Sequence, residues 1–315
     1  MSTKDTCHAI INIFETGAVR GRYGQVTILE NDSGLLTYGR SQTTLGSGNL
    51  FTLLEIYCAD EQSMYGDRIN RYLPALKKRD VGLNTDLRLH NLLRACADDP
   101  VMIGVQDDFF DKYYWLPSQM QSKKHSIETP LGSAVVYDSI IHGSWPLMRN
   151  RTNEVHGSIK NLGEKEWIAA YVSVRRGWLA NHRKPILRKT IYRQDTFLDM
   201  IAMDLWDLTL PMVVRGLEIS SSSLVEDPID SFTEPTPGTR DIHVASPLQR
   251  GFDVRQLQLG LSEAGLKVKA DGWYGLGTEL VLKKWQEKRD LPTTGKMSAL
   301  QASTFLIEQP SIILT

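Results

Sequence analysis

No run of apolar residues in this chain approaches the ~20 needed to cross a bilayer, so membrane insertion is not expected. The N-terminal stretch, MSTKDTCHAI, lacks the basic start and continuous apolar core of a signal peptide. The chain is therefore expected to be made in the cytoplasm; if its target lies outside, lysis or a dedicated secretion machine must deliver it. Charge of one sign is missing too. The 36 Lys and Arg against 37 Asp and Glu leave a formal net charge of −1, which argues against a uniformly basic nucleic-acid-binding protein. Cysteine is scarce: Cys7, Cys58 and Cys96 are odd in number and widely spaced. That pattern fits neither a disulfide framework nor paired metal ligands, and reads as three reduced thiols. None of the seven histidines falls in a ligand motif, so no metal and no cofactor are expected.

What is present is ordinary globular material. A hydrophobic fraction of 41% and a charged fraction of 23% over 315 residues suffice for two domains. The composition shifts at Ser220, where SSSSLVEDPIDSFTEPTPGTRDIHVAS is rich in Ser, Pro, Thr and acids without a sustained period. This reads as a linker over residues 220–246, between a large domain (1–219) and a small one (247–315). Apolar residues Ala9, Ile10, Ile13 and Phe14 share one helical face, and Gly17 supplies a stop. Gln25–Leu29 and Leu35–Tyr38 favour strand around the turn residues Glu30-Asn31-Asp32-Ser33-Gly34, which predicts one β-hairpin in a helical domain. Further helices are expected over Leu50–Tyr57, Asp67–Lys77, Leu87–Ala97, Val135–Ile141, Glu164–Trp178 and Asp195–Leu208.

Hydrolysis of a glycosidic bond normally needs two carboxyl groups, one to protonate the leaving oxygen and one to activate water or attack the sugar. Glu15 falls at the C-terminal end of the first helix, where the negative end of the helix dipole disfavours ionisation. That is the direction a general acid needs. Asp32 falls in the hairpin tip, where Asp is also favoured for turn geometry alone. A helix-end Glu followed by a hairpin bearing an Asp can set two carboxylates across a cleft; Glu30 and Asp5 compete for the second role.

The large domain resembles the chitosanases of glycoside hydrolase family 46, of the lysozyme-like superfamily. The resemblance rests on Glu15, on Asp32-Ser33-Gly34-Leu35-Leu36-Thr37, on Tyr72-Leu73-Pro74-Ala75-Leu76-Lys77-Lys78, and on Tyr137-Asp138-Ser139-Ile140-Ile141-His142-Gly143. It implies that Glu15 is the catalytic acid, Asp32 the base and Thr37 the residue that orients the attacking water, with inversion at the sugar. It further implies a buried ion-pair network behind the acid, formed by Asp138, His142, Arg175 and either Arg188 or Arg193. Taken without the resemblance, Asp138 and His142 at i, i+4 are an ordinary helix-surface pair.

Two departures bear on substrate. The segment Tyr38-Gly39-Arg40-Ser41-Gln42-Thr43 differs from that of typical chitosanases and is closer to proteins of phage and cell-wall degradation. Tyr38 and Arg40 are its candidate substrate contacts. Asn49, in Ser47-Gly48-Asn49-Leu50, stands where the family carries an Asp that contacts a glucosamine ammonium. A neutral amide suits an N-acetyl group better; a helix cap is an equally good use of this Asn. From Pro247 the chain resembles the small helical peptidoglycan-binding domain, through Val254-Arg255-Gln256-Leu257-Gln258, Leu261, Gly265, Asp271-Gly272-Trp273-Tyr274-Gly275, Thr278, Trp285-Gln286 and Gly295. Leu257, Leu261 and Leu266 are spaced to pack one face. Trp273 and Tyr274 either present aromatic faces to sugar or complete a small core.

The expected architecture is α+β and mainly helical: a lysozyme-like catalytic domain with a small β-hairpin, then a three-helix C-terminal domain. The expected activity is hydrolysis of a β-1,4-linked amino-sugar polymer. Peptidoglycan comes first, in a muramidase of the endolysin or secreted-effector kind, with a holin or an immunity protein as partner. The alternatives are a chitosanase acting on chitosan, and a wall-binding protein without activity.

Overall fold

The computed structural model describes residues 2–28, 34–40 and 42–302. The chain forms two compact units that do not follow the sequential division. One comprises Met1–Gly21 and Asp108–Asp227, the other Arg22–Asp107 and Pro228–Thr315.

The first unit is built on the helix Thr3–Thr16. Ser2 and Asp5 close a reciprocal capping box at its start, and Gly17, at φ +68°, ends it by donating to the Ile13 carbonyl. The predicted apolar face is buried, which sets Glu15 in the last turn. Helix Pro130–Ile141 begins five residues before the predicted Val135, because Pro130 suits the first helical position and the Thr129 hydroxyl accepts from the Gly132 N–H. It is buried from Leu131 through Ser139. Helices Glu164–Ala180 and Tyr192–Ala202 contribute Trp167, Ile168, Tyr171, Val172, Phe197 and Met200 to the same core. Helix Trp145–His156 and the hairpin Met212–Val214 with Leu217–Ile219 were not anticipated; Arg215 and Gly216, both at positive φ, make the tight turn.

The second unit holds a three-stranded antiparallel sheet, Val26–Ile28, Leu36–Tyr38 and Thr43–Thr44. The first two strands are the predicted hairpin; the third is an addition. Thr37 pairs with Thr27 on one side and Thr44 on the other. The hairpin tip, with Glu30, Asn31, Asp32 and Ser33, lies outside the described residues. Helices Asn49–Cys58 and Leu87–Ala95 form as expected. The single helix expected over Asp67–Lys77 is two, Gly66–Asn70 and Leu73–Lys77, because Pro74 cannot donate into a continuous helix.

The C-terminal module belongs to this second unit. Helices Phe252–Glu263 and Leu276–Glu287 pack Val254, Leu257, Leu261, Tyr274, Leu282 and Trp285 into a small core, with Leu266 against its edge. A third helical stretch runs over Ala299–Ala302, at the limit of the described residues. Residues 220–246 have the irregular backbone expected of a linker, yet they are tied down. Arg20 donates to the Leu224 carbonyl in the first unit, and Asp230 accepts from the Tyr23 and Gly24 amides in the second.

Candidate active site

The first helix ends with Glu15 held by a guanidinium. Arg193 Nη2 donates to Glu15 Oε1 at 2.6 Å, and Arg193 Nη1 donates to Asp138 Oδ1 at 2.7 Å. The other Asp138 oxygen accepts from Arg175 Nη1 at 2.5 Å, which also donates to Ser139 Oγ at 2.9 Å. Asp138 and Arg175 are fully buried, Arg193 nearly so, and the Glu15 side chain keeps 18% of its surface exposed. Four helices supply this chain of charges: Thr3–Thr16 brings Glu15, Pro130–Ile141 brings Asp138, Glu164–Ala180 brings Arg175 and Tyr192–Ala202 brings Arg193.

Burial works to raise the Asp138 carboxyl, but the two guanidiniums outweigh it and hold it well below the usual carboxylate range. Burial likewise works to lower Arg193, and the Asp138 and Glu15 carboxylates more than offset it, so this cation is fixed. His142 is pushed down to about 4 by burial, opposed by Asp138 and assisted by both arginines.

The pair of candidates for the second arginine is thereby resolved. Arg188 is excluded: it is exposed on the short helix Pro185–Arg188 and folds back to donate to the His182 carbonyl at 2.8 Å. Tyr192, which the sequence did not single out, donates its hydroxyl to the Phe14 carbonyl at 2.8 Å, one residue before Glu15. A cavity of about 380 Å³ opens beside it, lined by Asp195, Asp199, Met203 and Arg215.

In the second unit, Thr37 sits in the central strand, 9% exposed, with its hydroxyl donating to the Leu35 carbonyl at 3.3 Å. Asp32 lies outside the described residues. The side chains of Tyr38 and Arg40, expected to face substrate, are both buried. Tyr38 is fully buried, and burial pushes its phenol well up. Arg40 is 3% exposed and is spent on an ion pair with Asp107. Their backbone forms the root of the hairpin: Gln106 accepts from the Arg40 amide at 3.0 Å and donates to the Tyr23 carbonyl at 2.9 Å. Asn49 is the first residue of its helix, after Gly48 as cap, so it does not cap; it is half-buried and its side chain makes no hydrogen bond among the described residues.

In the C-terminal module the two aromatics divide. Tyr274 is fully buried and donates to the Gly295 carbonyl at 2.8 Å, completing the core. Trp273 is 41% exposed with the Arg250 guanidinium 5.0 Å from its ring. It borders a groove of about 410 Å³ with Lys267, Lys269, Asp271, Thr278 and Val281. Among the described residues no group of three His, Cys, Asp or Glu side chains is placed to hold a metal ion.

With this geometry in view, comparison with known proteins is specific. Residues 9–212 match the model of glycosyl hydrolase family 46, and residues 250–302 that of a putative peptidoglycan binding domain. A chitosanase of Bacillus subtilis (strain 168) is 26% identical over 232 residues, which is 68% of this chain and 82% of that protein. The crystal structure of native chitosanase from Bacillus subtilis MY002 aligns with a TM-score of 0.59 at 26% identity, over 68% of this chain and 94% of that one. A family 46 chitosanase of Gynuella sunshinyii, solved with chitotetraose, shares the fold at a TM-score of 0.60 and 22% identity, over 69% and 96% of the respective chains.

Proposed function

Because the chain belongs to glycoside hydrolase family 46, we propose that it cleaves the β-1,4 bonds of a glucosamine-containing polymer of the chitosan type, with Glu15 as the proton donor. The observation that carries this reading is the buried Arg175–Asp138–Arg193 chain ending on Glu15. A general acid must be aimed at the leaving oxygen and must become an anion as it works. Arg193 fixes one Glu15 oxygen and leaves the other to face the substrate. Once Glu15 has given up its proton, the four side chains sum to zero charge, so the step leaves no unbalanced ion in a low-dielectric site. Asp32 takes the proton from water and Thr37 orients that water, giving single displacement with inversion. The relatives named above are chitosanases, and the Asp199 carboxylate beside Tyr192 suits an ammonium-bearing sugar, Asp195 being paired with Arg176.

A second reading, peptidoglycan as substrate, has its own support. The C-terminal module is of the putative peptidoglycan-binding family, and Asn49 carries no charge for an ammonium ion. The connection between the helices of Arg175 and Arg193 exposes Arg183, Lys184, Arg188 and Lys189. Four exposed cations in this connection repel a polycation and attract a glycan bearing carboxylates. An immunity protein or a holin would be the partner under this reading.

Reducing-end release by wild type and Glu15→Gln, on deacetylated chitosan and purified sacculi side by side, tests both. Release from chitosan alone supports the first reading, and release from sacculi alone the second. Undiminished release by Glu15→Gln overturns the acid assignment in either case.

A further inference from the structure

The C-terminal module does not hang from a tether. Every residue of its first helix from Phe252 to Ser262 is buried, although only part of that surface faces the module's own core. The rest is covered by elements of residues 22–107, which share its compact unit. Arg255, 2% exposed, is the centre of the contact. Its Nη1 donates to the Arg94 carbonyl at 2.9 Å, to Asp98 Oδ1 at 2.8 Å and to the Asp230 carbonyl at 3.1 Å. Its Nη2 donates to the Asp230 and Asp271 carbonyls, at 3.1 and 3.3 Å. The planar guanidinium thus joins a helix of the sheet-bearing part, the irregular segment before the module, and the module itself. Around it, Asn91 bonds the Val268 carbonyl and the Ala270 amide, and Gln256 donates to the Tyr65 hydroxyl at 2.7 Å.

The segment gripped by Arg255 reaches the hairpin. Asp230 Oδ1 and Oδ2 accept from the Tyr23 and Gly24 amides at 3.1 and 2.8 Å, two residues before the strand Val26–Ile28. Gly24 lies so close to the helix Leu87–Ala95 that a Cβ there would meet the Arg94 carbonyl oxygen at 2.8 Å, the same oxygen that accepts from Arg255. On the other side of the root, Tyr23 donates its hydroxyl to Asp107 at 2.6 Å, and Gly39 leaves no room for a Cβ beside Gln106.

We propose that the C-terminal module is a positioning part of the hydrolase: through Arg255 and Asp230 it sets the root of the hairpin that carries Thr37. The inference rests on the reading of that hairpin as the water-activating half of the site. A module used only as a wall anchor needs no buried guanidinium shared by three chain segments, and no carboxylate spanning two amides just before the hairpin. Catalysis is sensitive to such a root, since misplacement by about 1 Å costs on the order of a hundredfold in rate.

The test uses the full chain with Asp230→Asn and Arg255→Met, and soluble fragments of whichever polymer the wild type cuts. Asn retains one acceptor and so releases one of the two hairpin amides, which makes it the milder change. At a temperature where circular dichroism shows the variant folded, Asp230→Asn is expected to lower kcat by about tenfold or more while KM stays within about twofold. A purely structural role would lower the unfolding midpoint and leave kcat of the folded protein unchanged, and that result overturns the proposal. Activity lost only in proportion to the unfolded fraction overturns it as well. If Arg255→Met does not fold, Asp230→Asn carries the test alone. Activity surviving in Glu15→Gln would strike at the acid assignment and is read separately from the Asp230→Asn result.

Discussion

Arg193 bonds Glu15 with one terminal nitrogen and Asp138 with the other, so the orientation of Glu15 is set by a carboxylate it never touches. Glu15→Gln keeps the shape and a partner for Arg193 but carries no acidic proton. We expect turnover to fall by about 10² to 10⁴, the contribution of a general acid, with an unchanged circular dichroism spectrum. Reducing-end assays at matched folded concentration check both parts.

Asp138 is the shared anion of two buried cations, so its removal is costly to stability. Asp138→Asn leaves Arg175 without a counter-ion and Arg193 with Glu15 alone. Removing one partner of a buried pair costs about 3–5 kcal/mol. Urea unfolding should show that loss, and adding Arg175→Met to the variant should recover part of it. A double mutant no more stable than Asp138→Asn would count against a true pairing energy.

Some of this site was legible from sequence and some was not, for physical reasons. Glu15 was, because the apolar spacing Ala9, Ile10, Ile13 and Phe14 and the stop at Gly17 fix where the helix ends. Which arginine serves Asp138 was not. Arg188 and Arg193 are five residues apart, and the break between helices Pro185–Arg188 and Tyr192–Ala202 turns one outward and the other inward. The burial of Tyr38 and Arg40 was not legible, for want of long-range partners in the local pattern: Asp107 takes up the Arg40 charge from 67 residues away. Asp230 was one acid in a Ser- and Pro-rich stretch, and its bonds span more than 200 positions. Local pattern holds no trace of such contacts.

The neighbours Trp273 and Tyr274 are expected to separate binding from stability. Tyr274→Phe strands a buried Gly295 carbonyl, at about 1–3 kcal/mol, without changing retention on insoluble polymer. Trp273→Ala removes an exposed ring at the groove and should weaken retention on sacculi while moving stability by about 0.5 kcal/mol or less. A pull-down on sacculi and a thermal melt of each variant decide the assignment. Equal retention by wild type and Trp273→Ala would remove the groove from the binding surface.

Acidification should act on the two units in opposite directions. Asp98 is pushed up to about 7 by burial, against the Arg255 guanidinium and the Phe232 amide that bond it. Between about pH 4 and 7 the folded second unit therefore binds a proton that the unfolded chain releases, and its stability falls as pH rises through that window. Asp230, raised by burial as well, adds in the same sense, while His90 in the helix Leu87–Ala95, lowered by burial, opposes the two carboxyls. His142, in the first unit, is depressed to about 4, so it stays neutral where the unfolded imidazole is charged. Its contribution is present above about pH 6.5 and is lost as pH falls towards 4. Amide hydrogen exchange at pH 5.5 and 7.5, corrected for intrinsic rates, should show residues 87–98 and 252–262 better protected at the lower pH and residues 130–141 less so. Asp98→Asn should flatten the first trend and leave the second intact. Parallel trends in the two units would mean that neither buried group governs the pH response.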